Sequence, residues 1–140
     1  MKNDAFWNDL LSHLRKGEPA FLCLIAHNTI HSPGTRGAKM FVREDGSIVG
    51  TIGGGGMEAD VIEKGVAALD GDTFEPHHET LVHRKTGENE EGKESGLICA
   101  GKQTHVYYVC RPERDLEAVH EIVRRIDDDE AGLVEIDSAG

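Results

Sequence analysis

The chain is 140 residues long, a length that fits one domain able to bury an ordinary core without disulfide staples or a structural metal. Its 26 acidic residues against 15 basic give a formal net charge of −11, which argues against a bulk nucleic-acid surface or attachment to an anionic membrane, since both need clustered Lys and Arg. The three cysteines, Cys23, Cys99 and Cys110, form an odd set with no close pairing; with a charged N-terminus, MKNDAFWNDL, and no apolar run long enough to cross a bilayer, they point to a reduced, cytoplasmic protein.

In chain order, Phe6, Leu10 and Leu14 recur at helical spacing, Asp4 can cap the start, and Gly17 with Pro19 ends the helix. The almost wholly apolar run from Ala20 to Ala26 predicts a central strand covered on both faces, with Cys23 as a buried thiol. After the turn-rich HNTIHSPGTRG, the segments AKMFV and SIVGTI flank Asp45-Gly46, the signature of a tight hairpin in which glycine supplies the positive φ. Met57, Val61, Gly65 and Ala68 then line one face of a second helix that Gly71 stops. ETLVHR is a candidate short strand, and the charged run KTGENEEGKES predicts a mobile loop over 85–95. QTHVYYVC alternates as a strand, and Leu116, Val119, Val123 and Ile126 mark a closing helix from Pro112. Leu133 to Ile136 is a candidate edge strand, and the run Asp127 to Glu130 reads as solvated surface. The expected architecture is a single α+β domain over 1–140, with a mixed or mainly antiparallel sheet and about three packed helices.

Most of the chemistry gathers around Gly53-Gly54-Gly55-Gly56, between the hairpin and the second helix. A backbone without side chains admits a ligand closely, and the helix N-terminus behind it favours a negative group, so the run points to an anion site, a phosphate above all. Gly54 to Ala59 also fits the G-x-G-x-x-A form of the dinucleotide fingerprint. Against that reading, the strand before it is the second arm of a hairpin and DTFEPHHET makes a poor second parallel strand. No Gly-Lys-Ser or Gly-Lys-Thr follows, which excludes a P-loop. The rival structural reading is that the glycines only let a strand and a helix pack closely.

A second group, Ser32, Thr35, Arg36 and Lys39, sets two hydroxyls and two cations on a Pro- and Gly-rich loop, suited to a phosphate or carboxylate or else a plain solvated connector. Cys99, beside Ala100 and Gly101, offers a thiol to a soft ligand or a sulfur-transfer partner, or is simply a buried cysteine. The histidines show no spacing with the cysteines that a structural zinc site needs, and no nucleophile elbow or kinase motif is present.

Together, SPGTRGAKMFVREDGSIVGTIGGGGMEADV followed by LICAGKQTHVYYV resembles the N-terminal domain of the XdhC/CoxI family, accessory factors of xanthine dehydrogenase and related molybdenum hydroxylases. The shared order is a Ser-Pro loop, Gly-Ala-x-Met, an Asp-Gly hairpin, Gly-Thr-Ile-Gly-Gly-Gly with a Glu shortly after, and a later Cys-x-Gly before a β-rich segment. Gly34 stands where many members have Arg, and Ala100 where members commonly have Gly. The Rossmann-like C-terminal domain of the family is absent from these 140 residues.

The resemblance implies a cytoplasmic chaperone that binds the molybdopterin form of the molybdenum cofactor as cargo, protects it during sulfuration by a cysteine desulfurase, and hands it to a molybdenum hydroxylase such as xanthine dehydrogenase. In that reading Gly53, Gly54, Gly55 and Gly56 hold the phosphate, and Ser32, Thr35, Arg36 and Lys39 assist. Glu58 orients backbone or pterin, and Cys99 with Gly101 sits near the molybdenum or its sulfur. Members often self-associate, so a homodimer is a further expectation. The protein would have no turnover of its own. Sulfur transfer through a Cys99 persulfide, a nucleotide-dependent reaction at the glycine loop, and a scaffold that docks on a hydroxylase without touching cofactor stay open as alternatives.

Overall fold

The computed structural model describes residues 5–29, 34–71, 74–83 and 101–136. Its elements are α1 (Ala5–Arg15), β1 (Ala20–Asn28), β2 (Lys39–Val42), β3 (Ile48–Thr51), α2 (Gly55–Asp70), β4 (His77–His83), β5 (Gly101–Cys110) and α3 (Pro112–Asp127). The five strands form one sheet in the order β3-β2-β1-β5-β4, with every pairing antiparallel. The α+β expectation holds, and the sheet is antiparallel throughout. Asp4, Ser32, Cys99 and the 85–95 segment lie outside the described residues.

β1 occupies the middle of the sheet, as its unbroken apolar run requires, because a middle strand hides both of its faces. Phe21, Cys23 and Ile25 point to the side covered by α2, where they meet Met40, Met57 and Val61. Ala20 and Leu22 point to the opposite side, against Leu10 and Leu14 of α1 and Val119 of α3. Each large apolar side chain fully withdrawn from water contributes about 1.5–3 kcal/mol. Phe21, Met40, Met57 and Val61, all at 0–1% exposure, therefore tie α2 to the sheet.

Close helix–sheet packing depends on Gly65. A Cβ there would lie 2.9 Å from Phe21 Cδ2 and 3.0 Å from Val42 Cβ. Gly65→Ala gains about 1 kcal/mol of helix propensity, but overpacking a filled core costs about 1–3 kcal/mol, and neither an aromatic ring nor a Cβ can swing aside. We expect a net loss, read as a lower midpoint in urea; an unchanged or higher midpoint would show that α2 has room to retreat.

The Asp45-Gly46 hairpin is present with a longer turn than a two-residue one. Arg43 N–H donates to Ser47 O at 2.9 Å and Gly46 N–H to Arg43 O at 2.9 Å, so the loop is Glu44 to Gly46, with Gly46 at φ 85°. Asp45 Oδ1 accepts from the Ser47 amide (2.9 Å) and hydroxyl (2.6 Å) and closes the turn. Two expectations change. Residues 131–136 form no strand; they follow α3 as irregular chain, Leu133 is 92% exposed, and Ile136 packs beside Trp7. On α3 the buried positions include Asp115, which accepts from Tyr108 Oη at 2.6 Å and from the Arg111 amide at 2.9 Å, while Leu116 and Ile126 are only half-buried.

The antiparallel order gathers one end of each strand together. The C-terminal ends of β1, β3 and β4 lie beside the starts of β2 and β5, as the pairs Asn28↔Gln103, Lys39↔Thr51 and His83↔Gly101 show. The glycine run and the loop before β2 both emerge at this end.

Candidate functional site

Three successive residues of the glycine run have positive φ: Gly53 (123°), Gly54 (81°) and Gly55 (71°). An L side chain at such a position costs roughly 1–2 kcal/mol, so the glycines answer a backbone demand. Close packing of strand on helix is met elsewhere, at Gly65. A Cβ at Gly54 would meet nothing within 4 Å, so the outer surface of the loop is open.

The inner surface is filled from within the chain. Glu58, in the first turn of α2, turns back so that Oε2 accepts from the Thr51 hydroxyl, from Ile52 N–H at 3.0 Å and from Gly54 N–H at 2.8 Å. Thr51 Oγ1 in turn accepts from Gly53 N–H at 3.2 Å. Burial pushes the Glu58 pKa up, but the hydrogen bonds from Thr51, Ile52 and Gly54, with Gly53 adding to them, outweigh it and hold the carboxyl below its ordinary value. Glu58 is thus an internal anion at the helix N-terminus, matched to the dipole and to the loop amides. An external phosphate would have to compete with it for Ile52 and Gly54; the surface left to a ligand is the loop's outer backbone.

The loop before β2 abuts this run through Gly34. The Gly34 N–H donates to Gln103 Oε1 at 3.0 Å, and a Cβ at Gly34 would stand 2.4 Å from Ile52 O and 2.4 Å from Ile25 Cδ1. β1 holds the rest of the loop, through Gly37 N–H to Ile25 O at 3.0 Å and Arg36 N–H to Asn28 Oδ1 at 2.8 Å. Thr35 and the Arg36 side chain are exposed at this end. Lys39 is not brought to the glycines: its Nζ donates to Gly37 O at 2.9 Å and sits 5.9 Å from the centroid of the Phe6 ring, on the α1 side of the sheet. Gly101 (φ 122°) opens β5 opposite His83, and Thr29 secures the next residue, its Oγ1 accepting from Lys102 N–H at 2.7 Å. Ser32 and Cys99 cannot be placed, as neither is among the described residues.

Beneath the two loops runs a polar column that the sequence reading passed over. Gln103, His105 and Tyr107 all point to the α2 side of β5 and are fully buried. Gln103 Nε2 donates to Ile52 O at 3.3 Å and lies 2.6 Å from His105 Nε2, while His105 Nδ1 lies 3.3 Å from Tyr107 Oη. Lys64 of α2 pairs with Glu79 of β4 at 2.9 Å, and its Nζ stands 5.3 Å from the Tyr107 ring centroid. Burial, then the neighbouring Cys23, Glu79 and Asp60, push the Tyr107 phenol up and keep it protonated. The period of two in QTHVYYVC was the available signal, since it puts Gln103, His105 and Tyr107 on one face.

Cys23 and Cys110 are free and buried, at 0% and 2% exposure. Burial, opposed by Lys64, raises the Cys23 thiol, and burial with Asp115 pushes Cys110 up to about 12, so both are thiols at neutral pH. A thiol reagent should therefore leave both unmodified in the native protein and modify them after unfolding; labelling of either before unfolding would contradict this placement. Among the described residues, no group of three or more His, Cys, Asp or Glu is placed to hold a metal ion, and no helix is long and apolar enough to cross a membrane.

The sequence model of the XdhC and CoxI family matches residues 13–80, a span that includes the Gly34 loop, the hairpin, the glycine run and α2. A crystal structure described as a xanthine dehydrogenase from Bacillus halodurans superposes with a TM-score of 0.61 and 24% identity, over 87% of this chain and 34% of that one. This chain thus spans about a third of that protein's length, and the likeness is one of fold. No curated protein matches the chain.

Proposed function

We propose that this chain, whose residues 13–80 match the sequence model of the XdhC and CoxI family, is an accessory protein of a molybdenum hydroxylase of the xanthine dehydrogenase kind, which binds the molybdenum cofactor as cargo. The observation that carries the reading is that the family span includes both loops, and that these loops touch, Gly34 against Ile52, at one end of the sheet. A flat pterin needs a surface that side chains do not obstruct, which the outer backbone of Gly53 to Gly56 offers. Thr35 and Arg36 supply a hydroxyl and a cation for the phosphate at the rim. Glu58 orients the glycine loop from inside. Cys99 and Gly101 stand by the molybdenum or its sulfur, with Ser32 assisting the anion. The protein works in the cytoplasm without turnover of its own, receives sulfur chemistry from a cysteine desulfurase, and delivers to the apo-hydroxylase, alone or as a homodimer.

The test is protection. Free molybdopterin is mixed with the protein in air, and its survival is followed through the fluorescent oxidised pterin. We expect the wild type to slow the loss and Gly54→Val, whose side chain would stand on the open face, to abolish most of the effect. Equal loss with and without wild-type protein would sink the reading.

A further inference from the structure

We propose that Gln103 is the positioning residue that fixes the Gly34 loop and the glycine loop in one arrangement, and that it does so only while His105 is neutral with its proton on Nδ1. The functional half of this proposal rests on the reading of that end of the sheet as the cofactor face; the hydrogen-bond half does not.

The directions of the bonds follow from the partners. The Gly34 N–H can only donate, so the Gln103 atom facing it at 3.0 Å is the amide oxygen. The Ile52 carbonyl can only accept, so the atom facing it at 3.3 Å is the amide nitrogen. Flipping the amide would set donor against donor at Gly34 and acceptor against acceptor at Ile52, so the buried orientation is determined by the backbone on both sides. The second amide hydrogen then points to His105 Nε2, 2.6 Å away, which must offer a lone pair. His105 therefore carries its proton on Nδ1, towards Tyr107 Oη at 3.3 Å.

One fully buried amide thus spans three segments: the loop before β2, the start of the glycine run and the column of β5. A second proton on His105 would aim Nε2–H at the Gln103 amide hydrogens and break the set. Among the described residues, the charged and titratable groups around His105 are Tyr107 on its own strand and Glu79 opposite it on β4, together with Lys64 and Asp60 on α2 and Cys23 on β1. Lys64 is ion-paired with Glu79, and Tyr107 and Cys23 stay protonated, so the column is built for a neutral ring.

Gln103→Glu is the discriminating variant. Its carboxylate still accepts from Gly34 N–H, but it sets oxygen against Ile52 O and against the His105 lone pair. His105 can meet the second contact by moving its proton to Nε2 and accepting from Tyr107 Oη at Nδ1. The contact to Ile52 O stays without a donor until the carboxyl is protonated in acid, where wild type loses its own set to a doubly protonated His105. At neutral pH we expect Q103E to protect molybdopterin about tenfold less well than wild type, the size of one lost buried hydrogen bond, and to exchange its Gly54 amide about tenfold faster. As the pH is lowered, protection by Q103E should rise relative to wild type, a crossing that a merely structural role would not produce. Parallel profiles for the two proteins would overturn the proposal. In wild type, 15N spectra of the histidines should show His105 with a bare Nε2 and a protonated Nδ1; the opposite tautomer would also overturn it, whether or not Q103E folds. If wild type protects no cofactor while the tautomer and the Gly54 exchange come out as stated, the cofactor reading fails and the coupling of the loops stands.

Discussion

Gly34→Ala is expected to lower stability by about 3 kcal/mol, which for a domain of this size is a fall in melting temperature of roughly 10 °C. The added Cβ would lie 2.4 Å from the Ile52 carbonyl oxygen and 2.4 Å from Ile25 Cδ1. The isoleucine tip can rotate away. The carbonyl cannot, because Ile52 N–H is tied to Glu58 and Ile52 O to Gln103. Relief therefore means moving the loop and stretching the buried bond from Gly34 N–H to Gln103, each costing about 1–3 kcal/mol. Gly37→Ala is the control: it sits at φ 94° with nothing within 4 Å of a Cβ, so it carries only the backbone strain, about 1–2 kcal/mol. Melting curves that rank Gly37→Ala as the more damaging would mean that the two loops are not in contact.

The second large effect is at Glu58. Alanine there removes the acceptor of the Thr51 hydroxyl and of the Ile52 and Gly54 amides at one stroke. Unsatisfied donors that are partly shielded from water cost about 1–3 kcal/mol in sum, and the glycine loop should lose its fixed shape. Glu58→Gln keeps a carbonyl for the amides and should cost about 1 kcal/mol, through loss of the charge at the helix N-terminus. The pH dependence has a definite sign. The folded pKa of Glu58 lies below its unfolded value, so its contribution is complete above the ordinary glutamate pKa, about 4.3, and fades as the pH falls through the lower folded value. The stability gap between wild type and Glu58→Gln should accordingly be flat above about pH 5 and shrink in stronger acid. A gap that widens on acidification would contradict an ionised, hydrogen-bonded Glu58.

Local sequence carried most of the fold. Periodicity placed α1, α2 and α3, the apolar run made β1 central, and Asp45-Gly46 announced the hairpin. Strand order was not legible, because the pairing of β1 with β5 joins residues about 80 positions apart, as in Cys23↔Tyr107, and only the fold brings them together. Leu133 to Ile136 carry strand-forming side chains, yet irregular chain results, with Ile136 lying beside Trp7 on the face made by α1 and α3.

The site was legible in part. The four glycines and their neighbour loop were visible as chemistry, and the structure sets the two loops side by side. Glu58 could be seen, but not that its carboxylate fills the inner side of the loop, since an acid in the first turn of a helix can equally face solvent. Lys39 could have been set aside from sequence: it precedes Met40 on a strand, so alternation sends it to the face opposite the α2 core. Gln103 and His105 were missed because polar residues in an alternating strand read as the wet face, and here they form a buried column on the α2 side.

The most direct measurement is to purify the protein from molybdenum-replete cells under reducing conditions and assay the same sample for molybdenum and for the oxidised pterin derivative. The account predicts both, in equal amounts and bound to wild type, and both strongly reduced in Gly54→Val. A wild-type sample that holds neither, and takes up neither when cofactor is added, would contradict it.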